Sequence, residues 1–293
     1  MFNGVVLDSA VLCTVGSSRV ELFNVSNGVR QGGLISPRLF NIYIDALNVR
    51  LIDSGVGCNI GGIFINNLSY ADDMVLISPS VKGLRSLVSI CEIFATEHDI
   101  TYNTKKTECM YLRPPMSSFS INPIVYLCGK RLAFVKQFKY LGHLITDNLF
   151  DDLDIKRQYR SLCIRANMLR RNFYMCSHET KLTLFKSYCM SLYTAELWCR
   201  FTKTEMTKLT VCYNNSLRWF LRYPKYCSAS AMFVSNEVKS FPEVQRSIIY
   251  SFICRLNNSQ NILLQHITNC DLRWCSPLWR VWTKALYTQL DNG

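Results

Sequence analysis

Between two apolar runs, Ile63-Phe64-Ile65-Asn66-Asn67-Leu68-Ser69 and Met74-Val75-Leu76-Ile77, the chain carries Tyr70-Ala71-Asp72-Asp73. Short apolar runs rich in branched residues predict strands, so the acids between them fall at the tip of a hairpin. Adjacent carboxylates repel, and partial burial pushes at least one towards its neutral form unless a cation neutralises them. Magnesium is the natural partner, because hard divalent cations select carboxylate oxygens. Two such ions bridged by acids suit an in-line displacement at phosphorus. A solvated Asp-Asp turn accommodates the same four residues.

Upstream, residues 19–25 alternate apolar and polar groups as a half-buried strand does, and Asn27-Gly28 closes it with a turn. Ser36 is expected as an N-cap, Pro37 suits the first helical turn, and Leu39, Phe40, Tyr43, Leu47 and Leu51 recur at helical spacing before Gly55. Gln31, Gly32 and Gly33 therefore sit in a loop that leads into a helix. Glycines there let another group approach the backbone closely, and Gln31 offers both a donor and an acceptor. An ordinary glycine-rich turn is the alternative.

Downstream of the acids, residues 80–97 predict an amphipathic helix whose core positions are Leu84, Leu87, Val88, Cys91 and Phe94. Residues 138–145 alternate like a strand, with Gly142 permitting close backbone approach. From Asp151 the pattern turns helical. Ile155, Tyr159, Leu162, Ala166 and Leu169 form one stripe, and Lys156, Arg157, Arg160, Arg165, Arg170 and Arg171 are expected on the remaining surface. Further helices are expected over residues 179–197, 205–221, 242–257 and 277–290. Trp198, Trp219, Trp274, Trp279 and Trp282 interleave with arginines there, as packing anchors or as platforms for bases.

The loop Asn27-Gly28-Val29-Arg30-Gln31-Gly32-Gly33-Leu34-Ile35-Ser36-Pro37 followed by the Tyr70-Ala71-Asp72-Asp73 tetrapeptide resembles two palm motifs of the reverse transcriptases of non-LTR (LINE-type) retrotransposons. Tyr102-Asn103-Thr104-Lys105-Lys106-Thr107-Glu108 is similar to the lysine motif that follows in that family, and Phe138-Lys139-Tyr140-Leu141-Gly142-His143-Leu144-Ile145 to its primer-grip region. The resemblance implies an α+β fold: a partial right-hand polymerase palm, an antiparallel sheet with helices, over residues 1–150. A mainly α-helical, basic thumb-like and C-terminal region over residues 151–293 is expected to follow. It implies RNA-directed DNA polymerisation with an RNA template, a DNA primer and deoxynucleoside triphosphates as partners, and two magnesium ions as cofactors. By the same resemblance Asp72 and Asp73 are metal ligands, and Lys106 supplies charge or a proton at the leaving pyrophosphate. Gln31, Gly32, Gly33, Tyr70 and Gly142 contact template, nucleotide or primer. The family's first palm aspartate normally lies several dozen residues before the Gln-Gly pair. Here only thirty residues precede Gln31, and Asp8 is a weak substitute, so the chain is expected to start partway through a polymerase domain and to be inactive alone. A noncatalytic nucleic-acid-binding remnant is the alternative.

Charge supports contact with nucleic acid. The net charge of +12 is concentrated downstream: residues 1–150 hold 13 basic and 11 acidic side chains, whereas residues 151–293 hold 20 and 10. Such an excess gives salt-dependent, sequence-independent affinity for phosphate backbones. The 14 cysteines lack any CxxC spacing and follow no signal peptide, so reduced, mostly buried thiols in an intracellular protein of cytoplasm or nucleus are expected. His266, Cys270 and Cys275 have only loose metal-ligand spacing, and zinc is not expected. No apolar run is long enough for a membrane span, and no membrane partner is expected.

Overall fold

A computed structural model describes residues 34–112 and 123–287, together with the backbone of residues 9–11, 14–15, 18–19 and 23–25. Asp8, Gln31, Gly32 and Gly33 lie outside the described residues. The fold is mixed α+β. Nine α-helices occur among the described residues: α1 Ser36–Asp53, α2 Val81–Glu97, α3 Asp152–Asn172, α4 His178–Cys189, α5 Lys203–Phe220, α6 Ala229–Ser235, α7 Phe241–Asn257, α8 Ile262–Asn269 and α9 Pro277–Tyr287. The strands among the described residues are short and join in twos rather than in one larger sheet. The strand expected over residues 19–25 is realised as Phe23–Val25, antiparallel to Ser9–Val11, while Ser18–Arg19 pairs separately with Thr14–Val15.

Contacts divide the chain into two compact units, the first comprising residues 1–60, 64–102 and 125–130, the second the rest. The first is built on α1 and α2. Leu47, Leu51, Leu87, Cys91 and Phe94 form its core, with Met74 and Leu76 of the acidic hairpin packed against them. In α2 the expected apolar face is buried, except that Leu84 is only partly so, and Ser80 caps the helix by accepting from Gly83 N at 3.1 Å. In α1 the cap differs from expectation. The chain enters already helical at Ile35, Leu39 N donates to Ile35 O at 3.0 Å, and Ser36 falls inside the first turn. A side-chain cap needs an extended residue, and Ile35 at φ −90° and ψ −21° is not one. Ile44, rather than Tyr43, joins Leu47 and Leu51 in the core, and the exposed Tyr43 donates its hydroxyl to His98 O.

The second unit starts from strands and ends in helices. Glu108–Cys109 and Ala133–Phe134 form a parallel pair. Residues 138–145, expected as one strand, fold instead as a hairpin: Gln137–Tyr140 runs antiparallel to His143–Thr146, and the chain turns at Leu141 (φ 44°) and Gly142 (φ 86°). Two consecutive positive φ values match the twist of a two-residue hairpin turn, which an alternating pattern does not reveal. Ile155, Leu162, Leu169, Phe185, Trp198, Leu209, Tyr213 and Leu217 fill the core between α3, α4 and α5. The expected helix over residues 179–197 stops at Cys189 and resumes as a single tight turn, Ala195–Leu197, after Thr194 takes φ 68°. The short helices α6 and α8 were not expected, since seven or eight residues carry too little periodicity to stand out.

The face of α3 departs most from expectation. Asp154 and Gln158 are buried beside Ile155, Leu162 and Leu169, whereas Tyr159 is exposed. Asp154, with no exposed surface, accepts from Arg157 Nε at 2.7 Å, Leu144 N at 3.1 Å, Thr194 Oγ1 at 3.0 Å and Trp198 Nε1 at 2.8 Å. His143 Nδ1 approaches the same carboxylate at 3.4 Å. Burial works to raise this carboxyl, but hydrogen bonds from His143, Trp198 and Arg157 outweigh it and hold the group well below the usual carboxylate range. Burial shifts neighbouring Asp151 upward, despite bonds of 2.8 Å from the Arg200 and Cys199 amides. Arg157 and Arg165 are half-buried and engaged rather than freely solvated: the first is paired with Asp154, and the second donates to Ser191 O at 2.9 Å. Burial lowers the Arg165 guanidinium.

The described cysteines are free, but only Cys91, Cys109, Cys189 and Cys212 are buried, and Cys128 and Cys275 are exposed. Burial pushes the Cys91 thiol up to about 11 and the Cys189 thiol up to about 12. Among the described residues, no helix is long and apolar enough to cross a membrane.

Candidate active site

Asn67–Tyr70 and Asp73–Leu76 pair antiparallel in the register Asn67↔Leu76, Leu68↔Val75, Ser69↔Met74 and Tyr70↔Asp73. Ala71 and Asp72 are thus the whole turn. Ala71 adopts φ 51°, a left-handed conformation that strains a residue with a Cβ and bends the tip sharply. Both carboxylates are exposed, as is Tyr70. The partial burial considered for these acids does not occur, because the tip projects beyond the apolar cluster that holds its base. Neither the Asp72 nor the Asp73 carboxylate has a hydrogen-bond or ion-pair partner among the described residues, so their oxygens are available to a cation.

The base of the hairpin is anchored by Asn66, a residue to which the sequence alone assigned no role. Asn66 is 1% exposed and donates through Nδ2 to Leu51 O at the end of α1 and to Val56 O at 2.9 Å. Its own carbonyl accepts from Ile77 N at 2.7 Å, and its Oδ1 accepts from Asn67 Nδ2 at 2.9 Å. Ser69 Oγ adds a bond of 3.0 Å to Asn48 Oδ1 of α1. The hairpin is thereby tied at its base and along one edge to α1. The available signal was an amide side chain inside an otherwise apolar strand.

Lys106 and Gly142 belong to the other unit. Lys106 is exposed at the end of a turn in which Asn103 Oδ1 accepts from the Lys105 and Lys106 amides at 3.2 Å each. At Gly142 the close approach is made by Tyr193: a Cβ there would lie 2.5 Å from Tyr193 Cε1, and the Tyr193 hydroxyl donates to Leu141 O at 3.0 Å. Of the tryptophans, Trp198 and Trp282 are buried anchors, while Trp219 and Trp274 are exposed. His266 Nε2 lies 2.6 Å from Gly61 O, and no group of three or more His, Cys, Asp or Glu side chains suited to a metal occurs among the described residues.

The family model for reverse transcriptase (RNA-dependent DNA polymerase) matches residues 5–145, just under half of the chain and inclusive of the acidic hairpin. This stretch is reverse transcriptase sequence. It is related to the Pol proteins of R2 non-LTR retrotransposons. The chain is 31% identical over 145 residues to the Retrovirus-related Pol polyprotein from type-1 retrotransposable element R2 of Popillia japonica, covering 47% of this chain and 24% of that protein. Its Nasonia vitripennis counterpart is 29% identical over 138 residues, 45% of this chain and 13% of that protein. The Retrovirus-related Pol polyprotein from type-2 retrotransposable element R2DM of Drosophila melanogaster is 38% identical over 68 residues, 23% of this chain and 6% of that protein. The chain therefore aligns with a quarter or less of the length of these relatives.

Proposed function

We propose that this chain carries part of the nucleotidyl-transfer site of an RNA-directed DNA polymerase. One observation carries the reading: two exposed carboxylates without partners stand on a strained turn that is anchored to a buried core, inside the stretch matched by the reverse transcriptase model. Their hard oxygen donors fit magnesium. When bound, a magnesium pair supplies activation of a primer hydroxyl and stabilisation of the departing pyrophosphate. Asp72 and Asp73 hold and orient that pair, with a further oxygen donor required from outside the described residues. Tyr70, across the turn from Asp73, backs the primer end, and Gln31, Gly32 and Gly33 take the template and the incoming nucleotide. Lys106 offers positive charge to the pyrophosphate, and the Gly142 turn supports the primer.

In this reading residues 1–150 are palm-derived and residues 151–293 form a thumb-like region. The basic excess of the latter grips a template–primer duplex through phosphate contacts that read no sequence. The test is primer extension on an RNA template with magnesium, comparing the chain with Asp72→Asn. Any incorporation by the unaltered chain is expected to fall by two orders of magnitude or more in the variant, and equal incorporation removes Asp72 from the mechanism. A second reading, a noncatalytic nucleic-acid-binding remnant, is supported by the basic excess of residues 151–293. Salt-dependent binding without extension selects it.

A further inference from the structure

A cleft of about 480 Å³ opens where α3 and α5 end, lined by Arg170, Tyr174, Trp219, Phe220, Arg222 and Tyr223. Its aromatic content is not all core. Phe220 is buried, yet Trp219 is 52% and Tyr174 51% exposed, so two large flat rings present surface to water. The Arg222 guanidinium lies 5.5 Å from the centroid of the Tyr174 ring, which orders it at the rim. Neither the Arg170 nor the Arg222 side chain has a hydrogen-bond or ion-pair partner among the described residues.

The charged residues that line the cleft, Arg170 and Arg222, are both cationic. Residues 155–178 and 206–236, which supply every lining residue, contain ten Lys and Arg and no Asp or Glu, although Arg157 pairs with Asp154 and Lys156 and Lys208 pair with Glu205. Arginines at helix ends also complement the helix dipole, but that opposing charge is only about half a unit per helix. Arg222 adds a second peculiarity. It sits at φ 61° immediately after α5, where glycine is the unstrained choice, so the backbone retains a cation at a conformational cost.

We propose that this cleft binds an unpaired nucleotide of a single-stranded nucleic acid, the base stacked on Trp219 and the adjoining phosphates held by Arg170 and Arg222. The inference deepens the nucleic-acid reading above and rests on it. The dimensions favour one nucleotide over a duplex, since a paired base cannot offer its face to a ring at the wall of a cleft this size. Stacking tolerates any base, and arginines take phosphate without reading sequence, so the expected ligand is defined by strandedness rather than by sequence.

The experiment titrates the full chain against fluorescent oligouridylate, oligothymidylate and a blunt RNA duplex, by anisotropy at several salt concentrations. Trp219→Leu is expected to weaken single-strand binding about tenfold, the scale of one lost base–aromatic stack, and to leave duplex binding unchanged. Arg170→Gln should weaken it as well and reduce the salt slope by about one phosphate contact. Trp219→Phe, which keeps an aromatic face, should recover much of the loss, and photo-crosslinking should map to Trp219 or Tyr174. The two oligonucleotides separate RNA from DNA as the occupant. Unchanged single-strand binding by both Trp219→Leu and Arg170→Gln overturns the cleft, even if the chain extends primers. Absence of single-strand binding by the unaltered chain also overturns it. Single-strand binding lost in Trp219→Leu, in a chain that extends no primer, upholds the cleft and favours the noncatalytic reading.

Discussion

Replacing Asp154 by Asn keeps the volume of the side chain and removes its charge, which isolates what the carboxylate does for the helical unit. Oδ1 accepts from Arg157 at 2.7 Å and from Leu144 N at 3.1 Å, and Oδ2 from Trp198 Nε1 at 2.8 Å and Thr194 Oγ1 at 3.0 Å. An amide can present only one oxygen, so whichever way it turns, its NH2 group faces two donors. Two buried hydrogen bonds to a charged acceptor are lost and the Arg157 guanidinium loses its counter-charge, which together cost about 3–5 kcal/mol. Against a typical total of about 5–15 kcal/mol, that loss is severe. The assay is urea unfolding followed by tryptophan fluorescence, for which the fully buried Trp198 is a native reporter beside the substituted group. The difference between the two proteins should also depend on pH. Because the Asp154 carboxyl is held below its unfolded value, its contribution is complete above about pH 4 and fades as acid approaches the folded value. Asp151, shifted upward by burial, acts with the opposite sign: its ionisation costs stability, and protonation on acidification relieves that cost. The gap between the unaltered chain and Asp154→Asn should therefore narrow below about pH 4. A change under about 1 kcal/mol at neutral pH, the scale of an exposed pair, would refute the assignment of Asp154 as a buried, charged hub.

Asn66→Ala should destabilise the first unit by about 1–3 kcal/mol, since the Leu51 and Val56 carbonyls lose their shared donor. Faster amide hydrogen exchange confined to residues 66–77 would locate the effect, and unchanged exchange there would remove Asn66 as the anchor of the acidic tip. Gly142→Ala should cost about 1–3 kcal/mol, because the residue sits at φ 86° and its new Cβ would meet the Tyr193 ring. Adding Tyr193→Ala should recover the steric share of that loss but not the backbone share. Strict additivity of the two substitutions in a thermal melt would contradict the contact.

Much of the organisation was legible because periodicity reports burial. Leu87, Val88, Cys91 and Phe94 of α2 repeat with the helical turn and are all buried, and α5, α7 and α9 lie close to the positions their patterns indicate. The acidic hairpin was legible for a different reason, in that two apolar runs too short for helices flank a polar tetrapeptide. What failed were features without a local signature. Tyr140-Leu141-Gly142-His143 turns through two positive φ values in a segment that alternates like a single strand. Arg157 and Arg165 have the composition of a solvated face, yet Arg157 pairs with Asp154, whose other partners Thr194 and Trp198 come from far along the chain, and Arg165 reaches Ser191.

The sequence by itself determined that Asp72 and Asp73 stand together at a hairpin tip, that a reverse transcriptase motif surrounds them, and that the positive charge accumulates downstream. These are properties of neighbouring residues and of sums over them, and neighbours are what a sequence records. Only the tertiary structure decided that Asn66 ties the hairpin to α1, that Asp154 is a buried hub, and that Trp219 is left half-exposed in a cleft it shares with Arg170 and Arg222 while Trp198 is enclosed. Burial and hydrogen-bond partnership are set by groups far away along the chain, and identical residue types acquire opposite roles from them.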